Sequence, residues 1–253
     1  MIRLFDSHAH YDDKLYDEDR EALFARLFSE ERLSGILTIG CSERSSKEAI
    51  RLAETHDKIY AAVGFHPDHA EHVDIALLEE LLKHPKVVAI GEIGLDYYYE
   101  DPGREIQQRA LRLQLELAQK TGYPVIIHDR DAHGDILSIV KEYPGVKGVF
   151  HSYSGSVEMA KVLLDMGWYI SFSGVITFKN ARKAVEVAQW APLNRLLLET
   201  DCPYMTPVPF RGKRNQSTYI SYVAEKIAEV KNLTKEEILT AANNNARNLF
   251  GVK

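Results

Sequence analysis

Two histidines one residue apart end the first apolar run of the chain, RLFDSHAHYD at residues 3–12. In a strand, Cβ atoms alternate faces, so His8 and His10 point the same way and can grip one ion. The same side-chain chemistry returns at His66, Glu92, His128, His151 and Asp201. Taken singly, a histidine closing an apolar run is a hydrogen-bonded rim residue, and an acid there is a helix cap. Taken together, imidazoles and carboxylates without thiolate form a metal-ligand set. That set suits zinc, manganese, iron, cobalt or nickel, whereas magnesium prefers oxygen ligands and retained waters.

The elements that must position these residues are short apolar runs: IRLFDSH (2–8), GILTIG (35–40), IYAAVGFH (59–66), VVAIGE (87–92), YPVIIH (123–128), KGVFHS (147–152), WYISFS (168–173) and LLLETD (196–201). Segments with i, i+3, i+4 apolar spacing lie between them, at 18–31, 45–56, 75–84, 104–120, 132–143 and 157–166. Near-continuous apolar strands alternating with helices predict a parallel sheet buried on both faces, and at this length an α/β fold of the (β/α)8 TIM-barrel type. A doubly wound open sheet is the competing architecture. Two further helices are expected at 217–232 and 234–250, the second opening on a capping box of Thr234 and Glu237 and serving as an extra C-terminal helix. No linker divides the chain, so 1–253 is expected to be a single domain, with the Pro-rich stretch CPYMTPVPFRGKRN as a long loop after the eighth strand.

In a parallel barrel the carboxyl ends of the strands surround one mouth, where active sites sit. The candidate ligands occupy those ends and suggest two ions. His8, His10, Glu92 and Asp201 would hold the first, and Glu92, His128 and His151 the second, with one Glu92 oxygen for each. Two cations about 3.5 to 4 Å apart would polarise a bridging water and clamp both oxygens of a displacement, which is the chemistry of a hydrolase.

Composition limits the partners. A net charge of -6 and a pI near 5.9 disfavour a protein that coats duplex nucleic acid, and leave room for a local phosphate site. The two cysteines, Cys41 and Cys202, form no CxxC pattern and suggest no disulfide framework. Neither a secretory leader nor an apolar run approaching the ~20 residues of a membrane span is read, so a cytoplasmic location without membrane attachment is expected.

With DSHAH (6–10), VGFHP (63–67), GEIGLDYY (91–98), PVIIH (124–128), FHSYSG (150–155) and ETDCPYMTP (199–207) in hand, the chain resembles, end to end, the TatD family of metal-dependent deoxyribonucleases within the amidohydrolase superfamily. The resemblance implies a (β/α)8 barrel and a dinuclear site with Glu92 bridging two divalent ions per subunit, magnesium, manganese or zinc. It also implies phosphodiester hydrolysis, usually removal of nucleotides from the 3′ end of single-stranded DNA or RNA.

Roles follow as expectations. Asp201 would be both ligand and proton acceptor from the attacking water, and His66 would donate to a phosphoryl oxygen. Asp96, four residues after Glu92, would orient a ligand or fix its loop. Tyr97, first of three consecutive tyrosines, would offer a stacking face to a terminal base, and Arg211, Lys213 and Arg214 would dock phosphates. The family pattern R-N-E-P is here Arg214, Asn215, Gln216 and Ser217, so an acid and a proline are lost. Cys202 is expected to be a small buried residue. Two other functions compete: hydrolysis of an amide, lactone or aminoacyl ester on the same barrel, and a nucleic-acid-binding module whose metals are structural.

Overall fold

The computed structural model describes residues 4–29 and 33–252. Residues 2–3 of the first expected strand and 30–31 of the first expected helix lie outside the described residues. Eight strands form one sheet in sequence order: β1 (Leu4–Ala9), β2 (Leu33–Ile39), β3 (Ile59–Val63), β4 (Val87–Asp96), β5 (Val125–Arg130), β6 (Gly148–Phe150), β7 (Tyr169–Phe172) and β8 (Leu196–Leu198). Each hydrogen-bonded pair from β1–β2 to β7–β8 is parallel. The helices are α1 (Arg20–Ser29), α2 (Glu43–Thr55), α3 (Ile75–Leu81), α4 (Arg104–Thr121), α5 (His133–Lys141), α6 (Val157–Asp165), α7 (Arg182–Trp190), α8 (Ile220–Lys231) and α9 (Lys235–Phe250).

This is the barrel expected from the apolar runs, with three local differences. Helix α7 is additional to the periodic segments, with only Val187 and Ala188 fully buried on its short apolar face. Helix α3 ends at Leu81, short of Pro85, and the chain tightens into a turn in which the Lys83 amide donates to the Glu80 carbonyl at 3.2 Å and the His84 amide to the Leu81 carbonyl at 3.1 Å. Strand β4 continues past Glu92 to Asp96, which puts Asp96 in the sheet.

Burial explains the near-continuous apolar runs: every residue of β1 and β2 is buried. One core layer lies between strands and helices. A second gathers Phe5, Leu37, Ala62, Ala89, Ile126, Val149 and Leu197, from seven strands, with Ala246 and Phe250 of α9 packed against them. This second layer is the barrel interior. The capping box at Thr234 and Glu237 starts α9 as expected, and α9 packs on β1 and β8.

Closure between β1 and β8 is made at their carboxyl ends. The Asp201 amide donates to the His8 carbonyl at 2.9 Å and the His10 amide to the Cys202 carbonyl at 2.7 Å. Beneath them the buried Asp6 carboxylate accepts from the Thr200 amide at 3.0 Å and its hydroxyl at 2.6 Å. The barrel therefore closes through the residues that carry, or adjoin, candidate ligands.

Candidate metal centre

Alternation along a strand builds half of this site directly. His128 lies two residues beyond the interior Ile126, His151 two beyond Val149, Glu199 two beyond Leu197 and Cys41 two beyond Ile39, so all four continue the inner face upward. The other half needs irregular backbone. Register shifts interrupt β1 between Asp6 and Ala9 and β4 between Ile90 and Ile93, around His8 and Glu92. Asp201 has φ +55°, uncommon for a residue with a Cβ, and is held there by its bond to the His8 carbonyl.

The side chains converge in two clusters that share Glu92. In the first, His8 Nε2 lies 3.0 Å from His10 Nε2, 3.3 Å from Glu92 Oε2 and 3.6 Å from Asp201 Oδ1. His10 Nε2 is 3.7 Å from Glu92 Oε2 and 3.4 Å from Asp201 Oδ1. Ligands around a tetrahedral ion lie about 3.3 Å apart, so His8, His10 and Glu92 fit around one ion, with Asp201 beside both histidines. In the second cluster, Glu92 Oε1 lies 2.9 Å from His128 Nδ1 and 2.8 Å from His151 Nε2, and those nitrogens are 3.1 Å apart. His128 turns its other nitrogen, Nε2, to Asp96 Oδ2 at 3.0 Å, leaving Nδ1 for the shared cluster.

The electrostatics fit a cation. Burial alone would raise the Glu92 carboxyl, but the imidazoles of His151 and His8 and hydrogen bonds from His128 and His151 hold it well below the usual range. Burial also opposes the Asp201 carboxylate, and His10 and His8 outweigh it and keep it low. Two buried carboxylates thus demand positive charge in a nest of imidazoles, as a divalent metal would supply.

A cavity of about 740 Å³ opens above the clusters, with His10, Glu92, His128, His151 and Asp201 at its floor. His66 caps the short helical turn after β3 by accepting the Asp68 amide at Nδ1, and points Nε2 to within 3.9 Å of Glu92 Oε1. All six expected ligands and His66 are brought together. Asp96 is buried and does both things considered for it: Oδ2 meets His128, and Oδ1 accepts the Tyr98 amide at 3.0 Å.

The other expected substrate contacts are placed elsewhere. Tyr97 donates its hydroxyl to Asp135 at 2.8 Å under the Arg104 guanidinium, away from the cavity wall. Arg214 donates to both Asp19 oxygens at 2.7 and 2.6 Å and to the Leu15 carbonyl, so its fork is spent on holding the loop after β8 to the segment before α1. Arg211 stacks on Phe178 and Lys213 lies over Phe210; neither lines the cavity. The cations that do line it are Lys14, Arg20 and Arg44, and its aromatic wall is Tyr204. At the replaced family positions, Gln216 accepts from Arg26 at 3.1 Å, and the Ser217 hydroxyl meets the Tyr11 hydroxyl at 2.8 Å. Cys202 is buried as expected. Glu199 is absent from the expected site residues and Cys41 is read there only as an unpaired cysteine; period-two spacing from Leu197 and Ile39 is the signal that places both at the mouth.

Comparison with known proteins agrees with this architecture. The family described as TatD related DNase matches residues 5–251. An uncharacterized metal-dependent hydrolase of Bacillus subtilis, YabD, is 44% identical, over 98% of this chain and 99% of the relative. The crystal structure of YjjV, a TatD homologue from Escherichia coli, superposes with a TM-score of 0.91 at 34% identity, covering 100% of this chain and 99% of that one. A TatD-family hydrolase from Entamoeba histolytica gives a TM-score of 0.86 at 26% identity, with 99% of each chain covered. Among the described residues no helix is long and apolar enough to cross a membrane.

Proposed function

The chain belongs to the TatD family of metal-dependent hydrolases, and from that premise we propose that it removes nucleotides from the 3′ ends of single-stranded DNA or RNA by phosphodiester hydrolysis. The observation that carries this reading is the sharing of Glu92: one oxygen faces each of two ligand clusters, on the floor of an open cavity. Two divalent cations held there would supply the Lewis acidity that makes water nucleophilic near neutral pH and would neutralise charge on a phosphoryl group.

The remaining work falls to side chains. Asp201, kept ionised by its histidine neighbours, accepts the proton of the attacking water at its carboxylate. His66 presents Nε2 to a phosphoryl oxygen as charge develops there. Lys14 and Arg44 take the phosphates that Arg211, Lys213 and Arg214 were expected to take, and half-exposed Tyr204 offers a ring to the terminal base. A few such contacts hold one strand end without a long basic groove, consistent with a net charge of -6.

The test is a time course on 5′-labelled single-stranded DNA and RNA with protein stripped by chelator and resupplied with magnesium, manganese or zinc. A metal-dependent ladder shortening from the 3′ end, lost in Glu92→Ala, is the expected result. Intact oligonucleotides at confirmed metal occupancy would overturn the proposal and direct the search to aminoacyl esters and small amides.

A further inference from the structure

One buried acid at this mouth has no part in the reaction outlined above. Glu199, just past β8, is fully buried, and its Oε1 accepts the Ser152 amide at 2.7 Å. The same oxygen lies 3.4 Å from His151 Nδ1, while Oε2 has no partner among the described residues. His8 Nδ1 and His151 Nδ1 are also buried and without a hydrogen bond. The two imidazoles stack at 4.1 Å and 12°, and a ring nitrogen of each, with a Glu199 oxygen, falls within one 4.8 Å group.

Each of these imidazoles turns Nε2 to a different ion cluster: His8 to the first, His151 to the second. An imidazole that gives Nε2 to a cation carries its proton on Nδ1, and a buried N–H without an acceptor costs free energy. Glu199 offers the acceptor. We propose that Glu199 is a positioning residue shared by the two ion sites, a single carboxylate that fixes the tautomer and aim of one histidine from each. Its bond to the Ser152 amide serves the same end, because Ser152 follows His151 directly and sits at φ +39°, a conformation that a serine rarely holds without support. His128 has its own acceptor in Asp96, so the shared role belongs to Glu199.

The inference rests on the two-ion reading of the site and not on which bond is cleaved. Metal-stripped wild type and Glu199→Gln are titrated with Mn²⁺ by calorimetry, bound Mn²⁺ is counted by electron paramagnetic resonance, and the near-UV circular dichroism and thermal midpoint of the stripped proteins are recorded. Expected are two ions per wild-type chain, an unchanged spectrum and midpoint for the variant, and affinity reduced about ten- to a hundredfold at both sites. Unchanged affinities, or weakening at one site alone, would overturn the shared role. Loss of one whole ion with the remainder at wild-type affinity would also overturn it, making Glu199 a ligand. Should Glu199→Gln not fold, Glu199→Asp keeps the charge and withdraws it by one methylene; an intermediate loss supports the proposal and wild-type affinity overturns it. Fewer than two ions on the wild type would sink the two-ion reading itself, and this inference with it.

Discussion

The cluster of His128 and His151 stands on neighbouring strands and follows simple alternation, whereas His8, His10 and Asp201 meet at the seam where β1 joins the segment after β8. Their supports differ accordingly. The first pair is aimed by side-chain acids, Asp96 behind His128 and Glu199 beside His151. The seam ligands are aimed chiefly by the main chain, through the Asp201-to-His8 and His10-to-Cys202 bonds, with Asp6 locking Thr200 beneath and Glu199 the one acid that also serves His8. A regular half tuned by carboxylates and an irregular half fixed by backbone should fail in different ways. Glu92 is the ligand they have in common.

The largest effect therefore belongs to Glu92→Gln, which weakens both clusters at once. Initial rates on labelled oligonucleotide should fall about 10³-fold or more at saturating metal, with both ions weakened in the same titration. Next comes Asp201→Asn, which touches the seam half alone. Activity should drop about 10²- to 10³-fold while one of two ions is retained at its original affinity. If both ions are lost equally, the halves are one unit and the comparison fails. Asp96→Asn addresses the regular half: it leaves the ligand set intact but removes the charged acceptor behind His128. One ion should bind about ten- to a hundredfold more weakly and the other normally, as measured by calorimetry.

The same contrast explains what was legible in the sequence. Eight apolar runs separated by helical periodicity dictate the barrel because burial on both faces of a parallel sheet leaves few alternatives. Ligands at strand ends were legible because alternation and the one-mouth geometry apply wherever the backbone is regular, as at His128 and His151. Seam features were not. The register shifts around His8 and Glu92 arise in the β1–β2 and β4–β5 pairings, and the positive φ of Asp201 goes with its bond to His8, nearly two hundred positions away. Glu199 was hidden by its neighbour, since in LLLETD the aspartate drew the reading and the glutamate passed as strand end. The basic run RGKR misled because charge in a loop says nothing of direction: Asp19 and the rings of Phe178 and Phe210 capture those cations.

Substrate contacts offer a smaller effect that sharpens the picture. Arg44, at the start of α2, lines the cavity, while Arg211 and Lys213 do not. Arg44→Ala should raise KM for an oligonucleotide by up to about tenfold with kcat little changed, the worth of one charge-assisted hydrogen bond. The double variant Arg211→Ala, Lys213→Ala should shift KM less than about twofold, as exposed charges away from a site do. A reversed ranking would return phosphate docking to the loop after β8.

The smallest effect lies just outside the regular half. His133 opens α5, where the helix dipole disfavours a cation, yet its Nδ1 meets Asp129 Oδ2 at 2.7 Å, and Asp129 follows His128 in β5. That hydrogen bond, against partial burial, raises the His133 pKa above 6.5. A histidine whose folded pKa is raised stabilises the fold fully below its unfolded value, and the contribution disappears as pH rises through the folded one. His133→Gln should therefore lower the thermal midpoint at pH 5.5 to 6 more than at pH 8.5. The pair is partly exposed and screened, so the difference should stay within about 1 kcal/mol. A larger loss at pH 8.5 than at pH 6 would mean that His133 acts as a neutral packing residue at the helix start. The regular half would then owe its order to strand geometry and to Asp96 and Glu199, with no help from α5.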